Sequence, residues 1–113
     1  METSIDTQIE QALSFARYQT SLNQQRKLLK EQFESATILP YNGGLFKITQ
    51  EWLGGFDKES NWVLDINSNP IHVENPTELY ESAKETYRNA IATYGEEYQK
   101  LRRQRSVRSL VEL

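Results

Sequence analysis

Tyr80, Tyr87 and Tyr94 recur every seventh residue in this 113-residue chain. On a helix that spacing keeps the rings on one side, where they can do one of two things. They can pack as a seam against a second helix, beside the small Ala83 and Ala90, with each hydroxyl at the wet edge. Alternatively they can offer a stacking surface for bases, which needs cations between the rings to follow a phosphate backbone. Only Lys84 and Arg88 interleave with them, so the packing seam is favoured, running Tyr80, Ala83, Tyr87, Ala90, Tyr94, Tyr98 and Leu101.

The basic run Lys100, Arg102, Arg103, Arg105 and Arg108 is the candidate for anion or nucleic-acid binding, since arginines hold phosphates through charge-assisted, often bidentate hydrogen bonds. Bases at a helix C-terminus also complement the helix dipole and meet acids on another chain. In a chain of net charge −3 with no nucleic-acid-binding motif the second reading is preferred. His72 is the only histidine. It lies between Ile71 and Val73 with no nucleophile or carboxylate set beside it, so it reads as solvent-facing rather than catalytic. Asp65 and Glu74 near it fall short of a metal-ligand pattern. Gly43-Gly44 and Gly54-Gly55 lack the Lys-Ser/Thr of a phosphate loop and read as turns. No catalytic residue, cofactor site or metal site is expected, and the chain reads as non-enzymatic.

Composition narrows the class further. Apolar residues make up 37 % of the chain and charged residues 26 %, enough for one domain with a thin core that a second copy or a partner would complete. Charge is segregated. From Gln50 to Glu97 ten acids face three bases, whereas from Tyr98 to Leu113 five bases face one acid. Such asymmetry steers partners and lets copies associate. With no cysteine, disulfides, thiol catalysis and Cys-based zinc sites are excluded. The N-terminus lacks the basic and apolar regions of a signal peptide, and no apolar run approaches the ~20 residues that span a bilayer. The expectation is a soluble, cytoplasmic or virion-associated protein with a protein partner, as a homo-oligomer or within a larger assembly, and no membrane.

The elements that must position these residues follow from periodicity. Residues 4–37 form a long helix, with Ile5, Ile9, Ala12, Phe15 or Ala16, Leu22, Leu29, Phe33 and Ala36 placed along one face. Leu39-Pro40-Tyr41-Asn42-Gly43-Gly44 ends it. Residues 38–74 are a β-rich middle. In it Leu45 to Ile48 reads as a short strand, and Thr49 caps a single helical turn or the chain continues as a hairpin arm. Asn61 to Ile66 pairs with Pro70 to Val73 across Asn67-Ser68-Asn69. Phe46, Ile48, Trp52, Phe56, Trp62 and Leu64 are expected to pack on the helix ends, because so small a sheet is marginal alone. Asn75 caps a second long helix over 76–104, with Pro76 at its first position. Residues 105–113 are a basic and apolar tail, read as a separate short helix over Val107, Leu110 and Val111. The class is mainly α with a small β element (α+β), two long antiparallel helices joined by a β-hairpin or meander.

The Phe46-Lys47-Ile48 strand, the Val63 to Ile71 hairpin and the helix ending Glu97 to Val107 resemble small virion or assembly proteins of contractile-tailed phages. That resemblance implies a protein present in many copies that works by docking. The order helix, hairpin, helix is similar in outline to the prefoldin β subunit, which implies a holdase using paired helices. Neither resemblance assigns a role to a residue.

Overall fold

The computed structural model describes the backbone of residues 2–112 and the side chains of residues 7–104. Helix α1 (Glu2–Ala36) leads into strand β1 (Ile38–Tyr41), paired antiparallel with β2 (Gly44–Lys47). A short helix α2 (Gln50–Gly54) follows, then the antiparallel pair β3 (Trp62–Leu64) and β4 (Pro70–His72), and finally α3 (Pro76–Glu112). The protein is therefore mainly helical, with two long helices flanking β-hairpins.

Each junction has a local cause. Thr37 closes α1: its hydroxyl donates to the Glu34 carbonyl at 2.7 Å, and its own carbonyl accepts from the Ile48 N–H at 2.9 Å. The helix end is thereby tied to the end of β2. Asn42 and Gly43, at φ +48° and +82°, make the two-residue turn with both central residues left-handed that suits a twisted hairpin. The Thr49 hydroxyl accepts from the Trp52 N–H at 3.0 Å and caps α2, so the segment is a helical turn and not a hairpin arm. Asn75 Oδ1 accepts from the Glu78 N–H at 3.2 Å and opens α3 behind Pro76.

Several expectations need correction. Leu39 to Tyr41 is not a loop but strand β1, because an edge strand tolerates Pro40. The β middle is neither one hairpin nor a meander but two separate two-stranded hairpins, linked by the Ile66 N–H to the Leu45 carbonyl at 2.7 Å. Gly44 makes their close approach workable, since a Cβ there would lie 2.7 Å from Ile71 Cγ1. Helix α3 runs on to Glu112, so no separate helix begins in the 105–113 tail.

Phe46, Ile48, Val73, Leu79 and Ala83 form the main core, with Trp52, Leu53, Phe56, Val63, Ile71 and Tyr87 packed around it. Tyr18, Leu22 and Leu101 form a second, smaller cluster further along the helices. Phe33 lies between them, its ring 6.2 Å from Tyr87 and 5.0 Å from Tyr94. As α1 residue numbers fall the α3 numbers they meet rise, so the helices are antiparallel.

Trp62 and Leu64 are not core: each is 62 % exposed. Strand alternation gives the inner face to Val63, and the outer face then falls to its neighbours. In α3 the first fully buried residue is Leu79 and not Tyr80. A straight helix drifts about 20° per heptad, so a strict seven-residue tyrosine repeat cannot stay centred on the seam. Tyr87 and Tyr94 stay at its edge, Tyr80 leaves it, and Tyr98 is exposed. Tyr80 instead stacks on Phe56 at 5.7 Å, under the Lys58 ammonium at 4.2 Å.

Helix α1 is corrected as well. Tyr18 and Leu22 are buried and Leu29 and Phe33 half-buried, Phe15 on that same side is 59 % exposed, and Ile9, Ala12, Leu13 and Ala16 are all exposed. Ile9 to Leu22 is about 3.6 turns, so the two sets lie roughly on opposite sides of the helix.

Leu79→Ala should destabilise the chain by about 2–5 kcal/mol, as for a filled core position. Tyr80→Ala should cost only about 1 kcal/mol, chiefly its aromatic contact. Urea denaturation followed by circular dichroism measures both, and equal losses would mean that the seam is centred on the tyrosines.

Candidate functional site

Alternation along β3 places Trp62 and Leu64 outward, each 62 % exposed, and Ile66 in the turn that follows is 45 % exposed. Val63 and Ile71 pack inward on the core. Leu45 of the neighbouring hairpin, 44 % exposed, joins them through the backbone bond that links the hairpins. Four large apolar side chains thus share one end of the molecule. Apolar clusters of this kind on a water-soluble surface mark interaction sites, whereas a single exposed Leu needs no explanation.

The cluster stands on a well-braced hairpin. The Trp62 ring meets the His72 ring edge-on at 4.9 Å, so the histidine supports an apolar surface instead of standing alone in solvent. Asn61 Nδ2 donates to the Val73 carbonyl at 2.8 Å, and the Val73 N–H returns a bond of 2.7 Å to the Asn61 carbonyl. At the turn, Asp65 Oδ1 accepts from the N–H groups of Asn67 and Asn69, both at 2.9 Å. The Ser68 N–H donates to the Asp65 carbonyl, which holds Ser68 at φ +62°. The Asn69 backbone bond pulls the Asp65 carboxyl below its usual value of 3.8, aided by the backbones of Asn67 and Leu45 and opposed by partial burial. On the other side, burial and the nearby Glu78 and Glu74 carboxylates raise the Tyr41 hydroxyl above its usual value.

The remaining candidates are dispersed. Lys100 Nζ forms an ion pair with Glu97 Oε1 at 3.1 Å. Arg102 and Arg103 are exposed; Lys100 and Arg103 are i,i+3 neighbours on one side of the helix, and Arg102 lies about 100° round from Arg103. The side chains of Arg105 and Arg108 lie outside the described residues. Among the described residues, no three of His, Cys, Asp and Glu come together as metal ligands, and no helix is long and apolar enough to cross a membrane. An open groove of about 360 Å³ runs beside the seam, walled by Gln32, Phe33, Thr86, Asn89 and Tyr94 over Leu29 and Ala90. It is uncharged apart from Glu97 at one end.

Alternation alone holds the signal for the site. Asn61-Trp62-Val63-Leu64-Asp65-Ile66 alternates Trp, Leu and Ile with Asn, Val and Asp, a pattern that taken alone turns the first set inward, and only the position of the core shows that it faces out.

No protein-family model matches the chain, and comparison with curated proteins and with solved structures gives no match.

The lowered Asp65 value fixes a pH dependence. A carboxylate held below its unfolded value stabilises the fold fully above about pH 4, and that contribution disappears as pH falls through the folded value. Hairpin amides of Asn67 and Asn69 should lose hydrogen-exchange protection on acidification below pH 4. Asp65→Asn, which keeps an acceptor without the charge, should flatten that dependence.

Proposed function

We propose that this chain is a non-enzymatic structural or assembly protein that acts by docking onto other protein surfaces. The observation that carries the reading is the exposure of Trp62, Leu64 and Ile66 on a hairpin braced by its own turn and backbone bonds, with Leu45 exposed on the hairpin beside it. A rigid aromatic anchor loses little entropy when a partner covers it, and tryptophan is enriched among the residues that dominate binding energy. Elongated shape, 76 × 24 × 19 Å, gives the chain much surface for its mass and suits a spacer or adaptor. The resemblance to small phage virion and assembly proteins points the same way.

Binding of nucleic acid through the arginines gains no comparable support, since of the described bases Lys100 is paired with Glu97 and Arg102 is turned away from the side that Lys100 and Arg103 share. A holdase role would use the groove beside Phe33 and Tyr94, yet the seam beneath it is closed by Ala83, Ala90 and Leu101.

Trp62→Ser combined with Leu64→Ser should cost about 1 kcal/mol of folding stability, chiefly the Trp62–His72 contact, and leave the chain folded. It should remove the stoichiometric protein partner that the wild-type chain cross-links to in its native source. Lys100→Gln with Arg102→Gln and Arg103→Gln should retain that partner. Loss of association in the arginine variant only, or co-purification of nucleic acid in place of protein, would contradict the reading.

A further inference from the structure

Helix α1 carries a second apolar surface that the described residues leave exposed. Ile9, Ala12, Leu13 and Ala16 occupy positions i, i+3, i+4 and i+7 and so form one stripe. All four are exposed, with Ile9 at 53 % and Leu13 at 50 %. The stripe points away from the side that packs on α3, so the partner helix of the hairpin cannot cover it.

The flanks of the stripe carry a pattern that selects an occupant. Glu10 and Arg17 lie two turns apart on one flank, and the uncharged Gln8 and Gln19 lie on the other. When two copies of such a helix pack antiparallel, like flank meets like flank. Ile9 then lies opposite Ala16 of the second copy, and Ala12 lies opposite Leu13. Large residues face small ones in both directions, as a two-fold contact requires. The same register sets Glu10 against Arg17 of the second copy, twice. Parallel packing would bring Glu10 level with Glu10 and place the charged flank against the glutamines.

We infer that two copies of this chain pair through an antiparallel α1–α1 contact centred on Ala12 and Leu13. Four apolar side chains per copy bury less than the ~800 Å² per partner of a standard interface, so the dimer is weak and concentration-dependent. Its geometry gives it a use. From the two-fold axis to the end of α1 is about 24 residues, or ~35 Å of helix. The two hairpin clusters therefore stand ~70 Å apart at opposite ends of a strut. The dimer would present two copies of the docking surface proposed above, and in that respect it extends the docking reading, although its interface shares no residue with that surface.

Sedimentation equilibrium of the full chain over micromolar to millimolar concentrations tests the pairing. The wild type should dimerise in that range, and Leu13→Glu should weaken the dimer at least tenfold while leaving the helical circular dichroism unchanged. Glu10→Arg alone should weaken it, by setting Arg against Arg17, and Glu10→Arg with Arg17→Glu should restore it. Trp62→Ser with Leu64→Ser should dimerise like the wild type, which separates failure of this contact from failure of the hairpin as a docking surface. A wild-type monomer at millimolar concentration would overturn the inference. So would a dimer indifferent to Leu13→Glu, or a double charge reversal that fails to rescue.

Discussion

Water is excluded from one junction, and the arrangement of the other elements follows from it. Leu79 and Ala83 on the first turns of α3 close over Phe46 and Ile48 from the first hairpin and Val73 after the second. None of these five is more than 1 % exposed. Neither two-stranded hairpin would be stable alone. Each contributes an inner face to this junction, and α3 is the lid that both share. The Thr37–Ile48 backbone bond then fixes where α1 leaves the junction and so sets the line along which it meets α3.

Away from the junction the packing thins. Phe33 between Tyr87 and Tyr94 continues the contact, and Tyr18, Leu22 and Leu101 form a small island beyond it. Ala83 and Ala90 let the helix axes approach, which suits a shallow seam of rings at the edge and small residues at the centre. Beyond Tyr18 the described part of α1 buries nothing, from Thr7 to Arg17. A long helix with so little burial gains little from propensity alone. The chain thus has a firm end and an end that depends on contact, and both carry uncovered apolar surface.

Much of this was legible in residue patterns. The Asn75-Pro76 cap and the helix periods located α3 and most of α1, and the Thr49 cap allowed α2 beside a hairpin arm, because caps act within one turn and need no tertiary information. Strand β1 was hidden by Pro40, which argues against a strand unless the strand lies at an edge. The outward turn of Trp62 and Leu64 was hidden because a short hairpin with apolar residues on both faces does not reveal which face meets the core. Tyr80 misled for a different reason. A seven-residue repeat looks like a seam, yet the helix has 3.6 residues per turn, so the repeat slides off the contact line. The same slippage concealed the second stripe of α1: Ile9, Ala12, Ala16, Leu22 and Phe33 look collinear at spacings of three, four, six and eleven until the phase is followed across the polar Gln19 to Lys27 stretch.

The central claim is that a closed junction holds a helix whose far end is completed by another molecule. Amide hydrogen exchange on the full chain, measured at a dilute and a concentrated setting, addresses both halves at once. Protection should be greatest and independent of concentration at Phe46, Ile48, Val73, Leu79 and Ala83, and over Ile9 to Ala16 it should be low in dilute solution and rise on concentration. Strong protection of Ile9 to Ala16 at every dilution, or a junction that exchanges as fast as that segment, would contradict the account.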